Sequence, residues 1–351
     1  MNTTKQLSKG CQLCQEGKWL CIFLTYKCTA GCHFCPAPFK NDEIHSAFGS
    51  NKEKIINYLK ENNFEGVSFS GGDPFLVFDR LLEWQTFLKK ELSNYYYWVY
   101  TNGLAVDQEK MKKLADAGMD EIRFNIAATD YLSSKIWGYI KLARKYFPFV
   151  SIEIPSIKND YSKLIAALKK IDEYGIDYLN LHDYIISESE MDKTIEPINY
   201  FLLNKIIQLK YAVSSVENTF KIIEYSKLKG FNFKINHCSM QQKEEQMLQR
   251  RLKMGAIFNN PEYDIEMEDG TFCNYYEFQS NFPIDKIKQY GFEKHFLVNS
   301  INTIIPIKRL PEQLLKGNKI VRATFIPKME INHEKIIIDW QIIQTDIKPL
   351  T

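Results

Sequence analysis

Three cysteines crowd into one short loop, at Cys28, Cys32 and Cys35 within Thr-Tyr-Lys-Cys-Thr-Ala-Gly-Cys-His-Phe-Cys, residues 25–35. Three thiolates from a single loop suit an iron–sulfur cluster, and a four-iron cube held by three protein ligands leaves one iron open to another molecule. The competing reading is a structural zinc site. Zinc sites with four protein ligands usually pair two Cys-x2-Cys or Cys/His hooks, and a Cys-x3-Cys-x2-Cys spacing is not a simple hook, so the cluster is the favoured reading.

A second set of thiols lies outside this loop. Cys11-Gln-Leu-Cys14 reads as half of a metal site, for zinc or for a second cluster, against the alternative of two ordinary thiols in a polar N-terminal tail. Far along the chain, Cys238 follows a strand candidate at 231–235 and falls at its end, where a ligand belongs. The expectation is that Cys238, with His237 or Cys273, completes the site begun by Cys11 and Cys14; the alternative is an isolated loop thiol. Cys21, inside an apolar run, reads as a small core residue.

These cysteines need a scaffold, and the chain of 351 residues is long enough for one barrel-sized domain with an extension, or for two domains. Apolar residues make up 45% and charged residues 25%, the composition of an ordered globular protein. Lys plus Arg (45) nearly balance Asp plus Glu (43), so nothing marks a dedicated nucleic-acid surface. The N-terminus lacks the apolar region of a secretory signal, and no stretch approaches the ~20 apolar residues that cross a bilayer. A cytoplasmic protein with no membrane association is expected, where cysteines serve metal or redox chemistry rather than disulfides.

From Trp19 onward, apolar runs of strand length alternate with helical patterns. Residues 19–25 form a continuous apolar run that leads into the cysteine loop, which predicts a strand covered on both faces. Helices are expected near 51–62, 79–92, 107–117, 131–146 and 161–174. Between and after them lie strands at 66–70, 96–100, 121–126, 150–154 and 178–181. Six βα units in succession imply parallel strands joined by right-handed crossovers, hence an α/β fold with a partial (β/α)6 TIM-type barrel. Barrel enzymes place their chemistry at the carboxyl ends of the strands. There stand the three cysteines, then Gly71-Gly72-Asp73-Pro74, then Thr101-Asn102-Gly103, then Asn125, Glu153, and His182 with Asp183.

The cysteine spacing, with aromatic Phe34 just before the last cysteine, resembles the signature of the radical S-adenosylmethionine (radical SAM) superfamily. Gly71-Gly72-Asp73-Pro74 is similar to that family's Gly-Gly-Glu-Pro segment, with Asp in place of Glu, and Thr101-Asn102-Gly103 resembles a recurrent feature of its barrels. The resemblance implies a [4Fe-4S] cluster on Cys28, Cys32 and Cys35, whose open iron chelates the amino and carboxylate groups of SAM. It implies that Gly71, Gly72, Asp73 and Pro74 hold the SAM amino group through backbone carbonyls and the acidic side chain, and that Phe34 flanks the adenine. Thr101, Asn102, Asn125 and Glu153 are further cofactor contacts, with Asn125 and Glu153 toward ribose or methionine. His182 faces the substrate or is a hydrogen-bonded structural histidine.

The implied activity is reductive cleavage of SAM to methionine and a 5′-deoxyadenosyl radical, which abstracts hydrogen from a peptide, protein or small-metabolite substrate. The electron would come from a reductant such as flavodoxin or ferredoxin. Two rivals are a glycyl-radical-enzyme activase and a non-catalytic metal-binding scaffold or electron carrier. The expected organisation is an N-terminal Cys-x2-Cys segment (1–18), the (β/α)6 core (19–185) and a helical, then β-containing α+β extension (186–351). Within the extension, helices are expected at 199–212 and 215–229. A charged helical stretch carrying Arg250 and Arg251 reads chiefly as a solvated face. An Asp-Gly hairpin is expected at 263–272, and strands at 320–331 and 335–343.

Overall fold

The computed structural model describes residues 7–35, 52–187, 197–203, 207–258, 265–273, 275–278, 296–299, 302–306, 320–327 and 335–344. The chain divides into two compact units, Met1–Met247 and Leu248–Thr351.

The first unit is built on a seven-stranded, all-parallel sheet. Its strands are β1 (Trp19–Thr25), β2 (Gly66–Gly71), β3 (Tyr96–Thr101), β4 (Glu121–Phe124), β5 (Phe149–Pro155) and β6 (Tyr178–His182). They lie side by side in chain order, and a strand at Lys234–Cys238 pairs in parallel with β6 as the seventh. After the short helix α1 (Lys9–Gln15), the crossovers carry α2 (Lys52–Glu61), α3 (Phe78–Glu91), α4 (Gln108–Asp116), α5 (Ser134–Ala143) and α6 (Tyr161–Glu173). Each expected βα unit is present. Alternation along the strands divides the sheet into two faces. One is apolar and fully buried, with Val67, Phe69, Val99, Ile122, Ile152 and Leu179. The other is largely polar, with Ser68, Glu121, Arg123, Ser151, Asn180 and Asn236.

Aspartates at the amino ends of the strands set the register. Asp120 Oδ2 accepts from Tyr97 N at 2.8 Å, and Asp177 Oδ2 from Val150 N at 2.9 Å. Each ties the loop before one strand to the neighbouring strand, and Arg144 Nη1 adds an ion pair to Asp177 at 2.6 Å.

Several expectations are corrected. β1 is not covered on both faces: Leu20, Ile22 and Leu24 are buried, but Phe23 is exposed. Its run is continuous because the inward positions, Trp19 and Cys21, are also apolar, and they are only half-buried. The helix expected at 199–212 is an antiparallel hairpin, β7 (Ile198–Leu203) with β8 (Ile207–Ala212). Aromatic and branched residues favour a pleated, half-buried surface. The hairpin is also fastened to the chain beyond β6 by Ile186 N to Lys210 O (2.8 Å) and Ala212 N to Tyr184 O (3.0 Å). The next helix (Val213–Lys229) forms as read and ends in left-handed Gly230. The seventh strand is labelled β9 below.

In the second unit, the Asp-Gly hairpin forms between β10 (Ile265–Glu266) and β11 (Phe272–Cys273), with Gly270 at φ +70°. β11 pairs with β15 (Ile320–Pro327), and β15 with β16 (Lys335–Gln344), all antiparallel. A further antiparallel set joins β12 (Tyr275–Phe278), β14 (Asn302–Pro306) and β13 (Phe296–Asn299). The part of the 320–331 strand beyond Pro327 lies outside the described residues. Arg250 and Arg251 are not a solvated face: both are buried on the helix Met240–Phe258, and Arg251 Nε donates to Asp269 O at 3.0 Å. Charge alone did not report this, because the partner of Arg251 lies 18 positions along, in the hairpin turn.

Candidate functional site

The cysteine loop leaves β1 and is clamped by the turn that leaves β2. Gly72 N donates to Thr25 O at 2.6 Å and Asp73 N to Lys27 O at 2.8 Å. A Cβ on Gly72 would lie 2.0 Å from Lys27 O, and one on Gly71, at φ +120°, 2.1 Å from Thr25 O. These glycines let two loops touch backbone to backbone. Arg80 Nη1 adds a bond to Leu24 O at 2.6 Å.

Asp73 is buried and turned into the protein. Its carboxylate accepts from Phe75 N (3.0 Å), Thr101 Oγ1 (3.0 and 3.1 Å) and Asn102 N (3.0 Å). Burial raises its pKa, and these donors offset part of the rise. The side chain locks the β2 turn to the β3 turn. Asn102, so placed, sends Nδ2 to Cys28 Sγ at 3.4 Å, and hydrogen bonds to sulfur tune a cluster's potential. Asp73→Ala is expected to strand buried donors at ~1–3 kcal/mol each. Asp73→Glu, though it matches the family's residue, is expected to overpack by ~1–3 kcal/mol. Both are checked as a lowered thermal unfolding midpoint.

Cys28 and Cys32 are half-buried and Cys35 is exposed. Among the described residues no three His, Cys, Asp or Glu side chains converge as one metal ion requires. A four-iron cube takes each thiolate on a different iron, and three thiolates from one loop with an amide donor on one sulfur fit that group. Phe34 packs against Ile157, Tyr184, Ile186 and Ala212, an apolar shelf beyond β5 and β6. His33 meets the Tyr184 ring edge-on at 6.1 Å. Pro74 opens the short 3-10 turn Pro74–Val77. Asn125 caps the turn after β4, its Oδ1 accepting from Ala128 N at 3.2 Å.

A polar network that the motifs did not announce fills the inner face of the sheet. Arg123 grips Glu121 through Nε (3.0 Å) and Nη2 (3.1 Å), reaches Glu153 Oε2 through Nη1 (2.8 Å), and donates to Ser8 Oγ (3.0 Å). Its guanidinium lies against the rings of Trp98 and Tyr100, at 5.1 and 5.5 Å. Glu153 Oε1 meets His182 Nε2 at 2.7 Å, and Asn180 Nδ2 donates to Glu153 Oε2 at 3.2 Å. Both Glu153 oxygens and His182 are therefore engaged inside the protein. The available signal was period two: Glu121/Arg123 flank Ile122 and Asn180/His182 flank Leu181.

Burial alone would raise Glu153, but Arg123 and His182 hold it down at about 2. His182 is raised to about 9, Cys238 and Glu153 outweighing the opposing effect of burial. Burial would raise the Cys238 thiol, and His182 brings it down; burial pushes Cys11 up to about 11. Glu153's lowered value means that its stabilisation is complete above the ordinary value of 4.5 and is lost as pH falls toward 2. Stability measured from pH 6 down to 2 should drop over that interval, and Glu153→Gln should flatten the drop.

Cys11 and Cys14, on α1, and Cys238, at the end of β9, line one cavity of the first unit. His237 is not with them. Adjacent strand residues face opposite ways, and His237 bonds Asp183 Oδ1 at 2.8 Å and meets Phe220 edge-on. Cys273 lies in β11, where its side chain is outside the described residues.

The sequence profile of the radical SAM superfamily matches residues 22–198, half of the chain, running from β1 through the cysteine loop and past β6. The chain belongs to the radical SAM superfamily. It is a radical SAM enzyme, and its family implies a [4Fe-4S] cluster and SAM as cofactors. It is 26% identical over 276 residues to Methanocaldococcus jannaschii MJ0021, whose name places it with glycyl-radical enzyme activating enzymes; the match covers 76% of this chain and 72% of that one. Among solved structures, Streptococcus suis SuiB bound to its precursor peptide SuiA matches with a TM-score of 0.46 at 16% identity. That match covers 63% of this chain and 48% of SuiB, so the chain spans about half of SuiB's length. Native anSMEcpe with bound AdoMet and Cp18Cys peptide matches with a TM-score of 0.44 at 16% identity, over 62% of each chain. Among the described residues no helix is long and apolar enough to cross a membrane.

Proposed function

We propose that this radical SAM enzyme abstracts hydrogen from a peptide or protein substrate. When bound, the cluster and SAM supply a 5′-deoxyadenosyl radical that removes the hydrogen atom. This chain's residues position and shield. Gly71 and Gly72 press the cysteine loop onto the β2 turn, Asp73 fixes the β3 turn, and Asn102 reaches the Cys28 sulfur. Phe34 and the Ile157/Tyr184 shelf offer an apolar seat for the adenine. A flavodoxin or ferredoxin would deliver the electron on the side of exposed Cys35.

The observation that carries the macromolecular substrate is the likeness to MJ0021 over three quarters of the chain. An activating enzyme acts on a protein, so the same observation supports a second reading, activation of a glycyl-radical enzyme. The test is 5′-deoxyadenosine formation by the reconstituted, reduced protein in the presence of SAM and cell extract from its source. The macromolecular fraction should raise the yield, and protease treatment of that fraction should abolish the rise. A rise seen only with the small-molecule fraction contradicts the proposal. A stable glycyl-radical resonance in the stimulating fraction would select the activase reading.

A further inference from the structure

The cavity shared by Cys11, Cys14 and Cys238 has a volume of about 200 Å³ and belongs wholly to the first unit. Cys11 and Cys14, three apart on α1, share a helix face, and Cys238 lies on the inward face of β9 with Asn236. Asn236 Nδ2 donates to the Cys11 sulfur at 3.8 Å across 225 positions of sequence. Cys11 Sγ donates in turn to Asn180 Oδ1 at 3.4 Å.

The seating of α1 is specific. Ser8 Oγ caps the helix through Cys11 N (3.1 Å) and accepts from Arg123. A Cβ on Gly10 would lie 2.5 Å from Arg123 Nη2. A thiol that merely fills a core sits among apolar side chains. These three line open space walled by Arg123, Asn180, His182 and Asn236.

We propose that Cys11, Cys14 and Cys238 hold a second iron–sulfur cluster inside the sheet's polar face. Three cysteine thiolates on one cavity suit a cluster that takes each of them on its own iron. The space also exceeds the need of one ion: a single water requires only ~10–15 Å³. Asn236 supplies a hydrogen bond to sulfur, and Arg123 a cation facing an anionic group.

The Cys28→Ala/Cys32→Ala/Cys35→Ala variant removes the loop thiolates and leaves this site intact. Reconstituted anaerobically with iron and sulfide, it should keep about four irons per chain and, once reduced, a cluster resonance at low temperature. Adding Cys238→Ser should remove both. Wild type should hold about eight irons, and Cys11→Ser/Cys14→Ser about four. The last variant reads the same site from a different segment, and circular dichroism on each variant separates loss of a ligand from loss of fold. Wild type saturating at about four irons, a folded triple variant without iron, or zinc bound in preference to iron when both are supplied overturns the proposal.

Discussion

Gly72→Ala is expected to strip the loop cluster from an otherwise folded protein. The added methyl would stand 2.0 Å from Lys27 O and 2.5 Å from Lys27 C, and both are backbone atoms that no rotamer change can move aside. The loop must therefore lift, breaking Gly72 N to Thr25 O and Asp73 N to Lys27 O. Cys28 follows directly and would leave the reach of Asn102 Nδ2. The helices and apolar sheet face lie elsewhere, so circular dichroism should change little. Loop-bound iron should fall from about four per chain to near none after reconstitution, and 5′-deoxyadenosine with it. Gly71→Ala should do the same, with the added strain of an alanine at φ +120°. Full iron loading in either variant would mean that the close approach of the two turns does not set the loop.

Arg123→Met is expected to be the most destabilising single change. Arg123 and Glu121 are both buried, and Glu153 nearly so. Removing the cation leaves the Glu121 and Glu153 carboxylates without their shared partner in a low-dielectric interior, and breaking a buried pair costs about 3–5 kcal/mol. The loss extends to α1, because Ser8 would lose its donor. Chemical denaturation should show the loss, and adding Glu121→Gln should recover part of it, since residues of one network do not add independently. A near-neutral Arg123→Met would mean that water reaches the network and that the sheet's inner face is not sealed.

The parts legible in the sequence were those written in local pattern. Each βα unit was read from an apolar run followed by a helical period, and the cysteine loop from spacing alone. What stayed hidden depended on partners far along the chain. Asp73 is an acid in a turn, and nothing local says that it faces Thr101 and Asn102 rather than a ligand. The segment 198–212 has apolar residues that fit either period, and pairing with Tyr184 and Ile186 decides for a hairpin. His237 and Cys238 are neighbours in sequence but lie on opposite faces of β9. His237 is turned to Asp183, away from the cavity that Cys238 lines. Glu153 was picked out for its place near a strand end, yet its partners Arg123 and His182 lie 30 and 29 positions away.

The most direct test of the central claim is 5′-deoxyadenosine formed from SAM by anaerobically reconstituted protein under strong reductant. It should be compared with the Cys28→Ala/Cys32→Ala/Cys35→Ala variant, with iron content measured on both. The loop assignment predicts product in wild type and none in the variant, whatever iron the variant keeps. Wild type that carries iron at the loop yet forms no 5′-deoxyadenosine, or a variant that forms as much as wild type, would contradict it.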